Sequence, residues 1–453
     1  MTPAPAEDAI TRGRERDRRI AWSTLAGISA RAIGLAVSLV SVPLLIGYLG
    51  TERYGLWLTL TAIVAMLGPL DLGVGNAVVT LTAEAMGARD EQRVRSVIVT
   101  AIGLLTAIAL IAGLAYLLAA PLIPWAGILN LNGSAAATDA PPAAAAVIAC
   151  FLLGLPVGVI GRAQFGFQEA YIANVWLALG GVISFGFLLI GIAARAPLPI
   201  LMLGFVSGTL VSGFVNALVL FGRQRPWLRP RRDSLALGIA RKMLRTGTLF
   251  FVLQMAIVVG MQSDNVVIAQ LLGVEAVPGY AVPMRLFTLV PTLLGFALAP
   301  LWPAYSEALA RGDRKWAGRT LRRSIVVALA VNTPAAIGLI LIGPAILHLW
   351  VGDAVRPEPL LLVSLGAWTF LNSFTGPMAM FLVGANVVGF QVVFALLGAA
   401  SNIAISIVLV QSVGVAGAAI GSVISQIIFA VIPSTWYLRR FLRGPGRLGE
   451  QPA

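Results

Sequence analysis

Apolar segments as long as a membrane-spanning helix recur along the whole chain. A helix needs about 20 mostly apolar residues to cross the hydrocarbon core of a bilayer. Windows of this kind lie near residues 21–46, 55–80, 97–121, 144–161, 172–193, 199–221, 247–271, 279–303, 324–349, 359–383, 387–410 and 414–437. Of the 453 residues, 58% are hydrophobic and 11% are charged, whereas a soluble domain carries about 25% charged residues. The sequence therefore predicts an all-α integral membrane protein with about twelve transmembrane helices.

The distribution of Lys and Arg predicts the orientation of these helices. Most of the 32 basic residues fall in the N-terminal tail 1–20, in alternate short loops, in the central stretch 222–246 and in the C-terminal tail 438–453. The loops on the other side carry only Arg53, Arg195 and Arg356. Because short cytoplasmic loops are enriched in Lys and Arg, both termini are expected in the cytoplasm of a multi-pass protein of the cell membrane. The net charge of +13 is explained in this way, so nucleic acid is not expected as a partner.

The central basic stretch divides the chain into two halves of six predicted helices. The halves are an N-terminal bundle, 21–221, and a C-terminal bundle, 247–437, joined by the cytoplasmic linker 222–246. A shift of 223 residues places Leu49–Glu52 on Leu272–Glu275 and Glu84–Ala85 on Glu307–Ala308. An even number of helices gives both halves the same orientation, so the sequence predicts two bundles related by a parallel pseudo-two-fold axis. In transporters built in this way the substrate path runs between the halves.

Four ionisable residues lie inside predicted spans, namely Arg31, Asp71, Asp264 and Arg285. A charged residue at mid-membrane costs roughly 2.5–3.5 kcal/mol on insertion scales and needs a partner or a wet cavity. At a rise of about 1.5 Å per residue, Arg31 and Asp71 lie about 22 and 24 Å from the outer ends of their helices. Asp264 and Arg285 lie roughly 10 and 9 Å from theirs. Each acid is therefore expected to pair with the arginine at its own depth or to couple transport to an ion.

Further polar and proline residues inside the spans are weaker candidates. Amide side chains either line a cavity or hydrogen-bond between helices, and prolines kink membrane helices. The amides are Asn76, Gln254, Gln262, Asn265 and Asn332, and the prolines proposed to form a gate are Pro69, Pro283 and Pro291.

Three motifs of the first predicted hairpin resemble the oligosaccharide and polysaccharide flippases of the MOP superfamily, whose relatives are the lipid II flippases and the MATE exporters. The motifs are LGTERYGLW at 49–57, LDLGVG at 70–75 and AEAMGARD at 83–90. The resemblance implies a MATE-like fold. It also implies transport of a polyprenyl-diphosphate-linked oligosaccharide from the cytoplasmic to the outer leaflet by alternating access, for assembly of an O-antigen or exopolysaccharide. The expected partners are the lipid-linked oligosaccharide, membrane lipid and a polysaccharide polymerase.

The resemblance also assigns roles to two of the charged residues. Lipid II flippases need arginines in their first and eighth spans, and Arg31 and Arg285 occupy those spans here. Arginine suits a diphosphate because its planar guanidinium forms two parallel charge-assisted hydrogen bonds. We therefore expect Arg31 and Arg285 to bind the substrate.

Two other functions compete with this interpretation. A MATE-type drug or cation antiporter needs an anionic or neutral cavity, whereas this chain has as many intramembrane arginines as acids. A membrane glycosyltransferase or polymerase places catalytic groups on sizeable outer loops, but the longest outer loop, 122–143, has one acid, Asp139, and no basic residue. The sequence contains no P-loop, nucleophile elbow or metal-spaced His/Cys set, so no enzyme activity, metal or cofactor is expected.

Overall fold

The computed structural model confirms the all-α membrane class. It describes the backbone of residues 6–131, 135–231, 234–298, 301–310, 313–385 and 387–443. Side chains are described from residue 33 onward, except at 135, 246–250, 253, 257, 296–297, 302–304, 307, 310, 388 and 443. Across these residues the structure is helical, with turns and short irregular connections. The helices are α1 Ala6–Met66, α2 Val74–Gly87, α3 Glu91–Ala119, α4 Trp125–Ile128, α5 Ala135–Gly166, α6 Ala170–Ala193, α7 Leu198–Val219, α8 Leu237–Leu272, α9 Val277–Leu298, α10 Leu301–Ala310, α11 Arg314–Val351, α12 Pro359–Gly384, α13 Val388–Val413, α14 Ala416–Gln426 and α15 Ile432–Arg443.

Ten stretches of the described chain are long and apolar enough to cross a membrane. The first of them, Ile33–Asp71, has 39 residues and contains two predicted spans, because the backbone leaves the helical region at Gly50. Helix α12 falls outside the ten, but its 26 residues extend for about 39 Å at 1.5 Å per residue. These helices are compatible with the predicted twelve spans.

Positions separated by 223 residues share unusual backbone features. Gly50 (φ 76°, ψ 171°) and Gly273 (φ 89°, ψ 159°) adopt the same conformation, which an L side chain rarely tolerates. Asp90 caps α3 by accepting a hydrogen bond from Arg93 N, and Asp313 caps α11 by accepting one from Trp316 N, each at 2.9 Å. The repeat inferred from the sequence therefore recurs in turn and cap geometry.

The second predicted span, 55–80, is not one continuous helix. Helix α1 ends at Met66 and a 3-10 turn, Gly68–Asp71, follows. Leu72 and Gly73 both have positive φ before α2 begins at Val74. Pro69 is buried in this turn, where its missing N–H removes one backbone group that would otherwise need a partner.

The helices group into two compact units. The first unit contains Met1–Tyr48, Leu67–Trp125 and Gly133–Phe251, and the second contains Leu49–Met66, Ala126–Asn132 and Val252–Ala453. The units differ from the predicted bundles mainly because Leu49–Met66 packs with C-terminal helices. The predicted linker is also partly helical, since α8 begins at Leu237. The fourth predicted span, 144–161, lies within the 32-residue helix α5.

Small residues bring helices close together inside each unit. In the first unit a Cβ on Gly208 of α7 would overlap the backbone of Ser184 in α6, and the Ser212 hydroxyl donates to the Trp176 carbonyl. In the second unit a Cβ on Gly417 of α14 would overlap the backbone of Leu409 in α13. Lipid offers no hydrophobic driving force between helices, so such close packing and interhelical hydrogen bonds hold the units together.

Candidate functional site

A buried carboxylate with neutral partners lies in the second unit. Asp264 on α8 is 2% exposed and belongs to the membrane-spanning stretch Gln254–Leu272. Its Oδ2 atom accepts hydrogen bonds from the Tyr280 hydroxyl of α9 at 2.8 Å and from the Ser422 hydroxyl of α14 at 2.9 Å. Two further helices therefore supply donors to this single oxygen.

The other carboxylate oxygen faces α13. Asp264 Oδ1 accepts from Asn402 Nδ2 at 3.2 Å and from Ser406 Oγ at 3.3 Å. These two residues are four positions apart, so they share one face of their helix. Asn402 Nδ2 also donates to the Gly260 carbonyl at 3.1 Å, which fixes the amide with its Oδ1 toward the hydroxyls of Ser406 and Ser422 at 3.4 and 3.1 Å.

The arrangement is suited to holding a proton or a small cation. Its recorded partners are hydroxyl and amide groups, and none of them is a basic side chain. An uncompensated buried charge is costly, so the carboxylate gains stability by taking up a proton or a cation. The carboxylate, amide and hydroxyl oxygens of this cluster are the hard ligands that alkali and alkaline-earth cations prefer. We call Asp264, Tyr280, Asn402, Ser406 and Ser422 the Asp264 cluster.

The predicted ion pair between Asp264 and Arg285 is wrong. Depth along two helices does not fix which way each side chain points, and successive residues are rotated by about 100° around a helix of 3.6 residues per turn. The Asp264 carboxylate accepts hydrogen bonds from α13, α14 and Tyr280 of α9, whereas Arg285 lies half-buried further along α9 and is not among its partners. Arg285 remains a substrate-binding candidate because the resemblance to the lipid II flippases assigns it that role.

Asp71 has a local structural role at the break of the second span. Its Oδ1 accepts from Gly73 N at 2.9 Å and its Oδ2 from Gly75 N at 3.4 Å. The carboxylate thus caps the first turn of α2, where free N–H groups favour a negative charge. The side chain of Arg31 lies outside the described residues, so its pairing with Asp71 stays a prediction.

Arg162 is a further functional candidate, although it follows the predicted span 144–161 and so falls in one of the short basic loops expected from the sequence. The structure places it inside α5, next to the break. A Cβ on Gly75 would lie 3.1 Å from Arg162 Nε and 2.9 Å from Asp71 Oδ2, so the guanidinium and the carboxylate are neighbours. The Arg162 side chain is exposed, and no hydrogen bond or ion pair joins it to any described residue.

The depth of Arg162 also argues against a loop position. Glu84 of α2 forms exposed ion pairs with Arg93 and Lys242, at 3.6 and 3.4 Å, and so marks the polar end of this helix. Gly75, beside Arg162, lies nine residues further along α2, which corresponds to about 13–14 Å. Arg162 therefore places a positive charge about 13–14 Å from the polar end of α2.

The remaining predicted residues fall at separate places. Asn332 is 2% exposed and donates to Ser373 Oγ at 3.2 Å, bonding α11 to α12. The Asn265 Oδ1 atom is buried without a partner among the described residues. Asn76 and Gln254 are exposed and Gln262 is half-buried, while Pro283 and Pro291 lie inside the continuous helix α9.

Sequence reasoning missed most of the Asp264 cluster. The available signal was the spacing of Asn402 and Ser406, a polar pair four residues apart in an otherwise apolar helix. Their partners Tyr280 and Ser422 are single polar residues in apolar spans. A hydroxyl in such a position more often hydrogen-bonds to the backbone of its own helix. Only the packing of α8, α9, α13 and α14 shows that these side chains meet.

The fold is that of a MOP superfamily transporter. A solved structure described as the inward-facing conformation of a multidrug resistance MATE family transporter matches with a TM-score of 0.79 and 16% identity, over 92% of this chain and 98% of that one. A MOP superfamily transporter from Pyrococcus furiosus Vc1, whose description reports reversed polarity of its binding pocket, matches with a TM-score of 0.67 and 15% identity, over 94% and 95% of the two chains. An outward-facing MATE structure matches with a TM-score of 0.64 and 16% identity, over 94% and 96%.

The chain belongs to the polysaccharide biosynthesis protein family, whose sequence profile matches residues 18–309. The family match agrees with the resemblance carried by the motifs of the first hairpin, and the apolar helices make the chain a multi-pass membrane protein with the fold of the matched transporters. A comparison with curated proteins finds none that matches.

Proposed function

We propose that this protein is a flippase. It moves a polyprenyl-diphosphate-linked oligosaccharide from the cytoplasmic to the outer leaflet of the cell membrane, where the glycan enters surface polysaccharide assembly. The observation that carries the proposal is the combination of a polysaccharide biosynthesis family match with a transporter fold. A transporter in a glycan pathway needs a cargo that is made on one side of the membrane and used on the other, and a lipid-linked oligosaccharide is such a cargo.

Arginines supply the chemistry for the diphosphate. Arg162 offers an exposed guanidinium inside the first unit, beside the Asp71 carboxylate. Its planar fork matches two phosphate oxygens at once. The neighbouring carboxylate weakens the net attraction for an anion, which suits a transporter because the cargo must also be released. Arg285 in the second unit and Arg31 on α1 complete the set proposed to meet the diphosphate.

The Asp264 cluster supplies the coupling site of this proposal. A buried carboxylate that takes up a proton or Na⁺ changes the charge of the second unit by one. Transport against a gradient requires that ion binding differ between the states of the protein. The donors to the Asp264 carboxylate come from α9, α13 and α14, so its affinity for an ion changes when the packing of these helices against α8 changes.

A MATE-type antiporter for drugs or cations is the second candidate function. It is favoured by the structural likeness to multidrug MATE transporters and by the buried Asp264. Arg162 is exposed and forms no ion pair with a described residue, and its charge disfavours a cationic cargo because like charges repel. The same fold and family leave a membrane glycosyltransferase or polymerase without support.

A gene deletion distinguishes the two functions. We expect the deletion strain to lose its surface glycan, to accumulate the lipid-linked oligosaccharide in a form shielded from added glycosidases, and to recover both properties with the wild-type gene. A strain with normal surface glycan and raised sensitivity to cationic drugs would instead establish the antiporter.

Complementation of that strain also tests the role of Arg162. We expect Arg162→Gln to restore little surface glycan and Arg162→Lys to restore an intermediate amount, because lysine keeps the charge but loses the bidentate fork. Arg195→Gln is the matched control, since Arg195 is an exposed arginine of the same unit that lies in a turn after α6. Full export by Arg162→Gln at a normal protein level would remove Arg162 from the substrate path.

A further inference from the structure

Basic side chains concentrate at one end of the second unit. The first turns of α11 expose Lys315, Arg319, Arg322 and Arg323, and α15 exposes Arg439 and Arg440. These six residues are called the basic belt below.

The fold, and not the sequence, brings these two segments together. Ala317 and Leu321 of α11 share one buried core with Leu438 of α15. Arg314 Cζ lies 5.3 Å from the centre of the Phe441 ring, and a Cβ on Gly318 would lie 3.6 Å from the Leu442 methyl carbons. The belt is therefore one surface on two packed helices.

Among the side chains that the structure describes, none forms an ion pair with the belt. Asp313 is the described acidic residue next to the belt, and its carboxylate is engaged in capping α11 through Trp316 N. Arg322, Arg323 and Arg439 have no hydrogen bond or ion pair with any described residue. The first unit differs, because there Glu84 binds Arg93 and Lys242, and Glu169 binds Arg225 at 2.9 Å.

The exposed residues along each helix follow the layers of a bilayer. On α15 the sequence runs from Ile432, 58% exposed, through Trp436, 56% exposed, to Arg439 and Arg440. Arg440 Cζ lies 5.8 Å from the centre of the Trp436 ring. Tryptophan favours the membrane interface, isoleucine the hydrocarbon, and basic residues the headgroup layer.

Helix α11 shows the same order in the opposite chain direction. Its exposed cations end at Arg323, and exposed valines begin at Val326, which is 56% exposed. The two helices therefore leave the hydrocarbon at the same level, and the belt lies at the level of lipid phosphates.

We propose that the basic belt binds the phosphate groups of anionic glycerophospholipids in the adjoining leaflet. Six exposed cations at headgroup depth attract anionic lipid strongly. Arg319 lies three and four positions before Arg322 and Arg323 on α11, so these side chains share one face of the helix and can offer more than one guanidinium to a phosphate. Bound lipid would hold α15 against α11 and so stabilise this end of the second unit.

Thermal unfolding of the purified full-length protein tests the proposal. Cys150 is the single cysteine and is buried, so its reaction with a fluorogenic thiol reagent reports unfolding. The midpoint is measured in detergent with phosphatidylcholine alone and with equal parts phosphatidylcholine and phosphatidylglycerol. We expect phosphatidylglycerol to raise the wild-type midpoint by several degrees and the variant R322Q/R323Q/R439Q/R440Q to lose more than half of that rise.

A charge-matched control separates the belt from general surface charge. The variant R223Q/R231Q/R241Q/R245Q removes four exposed cations of the first unit and is expected to keep the lipid response. At about 1 M salt, where the Debye length falls to about 3 Å, the wild-type response should shrink toward that of the belt variant.

The proposal is overturned by a wild-type protein indifferent to phosphatidylglycerol, by a belt variant with the full response, or by equal losses in both variants. If the fourfold belt variant does not purify, R322Q/R323Q and R439Q/R440Q are measured separately, each with about half the loss expected.

Discussion

Around Asp264, four neutral side chains from α9, α13 and α14 converge on one carboxylate at membrane level. Each of these donors satisfies an oxygen lone pair without cancelling the charge. Such a group differs from a salt bridge because no basic side chain offsets the buried charge, so the uptake of a proton or a cation lowers the cost of burial. We therefore propose the coupling role for Asp264 and not for Asp71, whose carboxylate closes a helix end.

Substitutions at this cluster should change the ion dependence of transport. Asp264→Asn removes the charge and is expected to abolish stimulation of export by a proton or Na⁺ gradient. Ser422→Ala deletes one hydrogen bond to the carboxylate, a change of about 1.5–3 kcal/mol for a charged acceptor, and should shift the gradient dependence by about tenfold or more. The measurement is export of the lipid-linked oligosaccharide in vesicles as the pH and Na⁺ gradients are varied separately.

Ser425→Ala is the matched control for Ser422→Ala. Ser425 lies on the same helix and is also buried, but its hydroxyl donates to the Gly398 carbonyl at 2.6 Å. We expect this variant to keep the wild-type ion dependence. Equal ion dependence of wild type and Asp264→Asn would show that coupling resides elsewhere.

Among the helical segments, Leu49–Met66 departs most from the predicted division into two bundles. It follows the Gly50 break in the chain yet packs in the second unit. The contact depends on Gly55, because a Cβ there would overlap the Val274 carbonyl oxygen and approach Pro278 Cδ to 3.3 Å. A backbone oxygen cannot rotate away as a side chain does, so the site requires glycine.

Gly55→Ala should therefore destabilise the protein. Overpacking typically costs about 1–3 kcal/mol, and we expect a lower midpoint of thermal unfolding and less protein in the membrane. Gly47→Ala is the control on the same helix, where a Cβ meets nothing within 4 Å and alanine favours the helix by roughly 0.5–1 kcal/mol. A Gly55→Ala protein as stable as Gly47→Ala would mean that Leu49–Met66 does not pack against Val274.

At the scale of the whole molecule, the orientation in the membrane stays a prediction of the positive-inside rule. A reporter fused after Arg232 should be active only in the cytoplasm, and one inserted near Gly133 only outside. The measurement is the paired activity of an alkaline phosphatase and a green fluorescent fusion at each site. External activity at Arg232 would show that the basic central segment had crossed the membrane and would reverse the topology.

The membrane class, the positions of the long helices and the 223-residue repeat offset could be predicted from the sequence. These properties are local: apolar runs of about 20 residues span a bilayer wherever they occur, and glycine and aspartate act on the backbone next to them. The 223-residue offset found on Leu49–Glu52 and Leu272–Glu275 also relates the turns at Gly50 and Gly273 and the caps at Asp90 and Asp313 in the structure.

Tertiary structure alone decided which polar groups meet. The donors to Asp264 lie up to 158 residues away in the chain. Arg162, which the predicted spans place in a loop, lies beside Asp71 at the helix break, and the two halves of the basic belt come from α11 and α15. The physical reason is that lipid-facing and buried helix faces are both apolar, so hydrophobic patterning does not show which faces pack together. Depth along a helix can be counted from the sequence, but rotation around it is set by the packing of small residues such as Gly417 and Gly421.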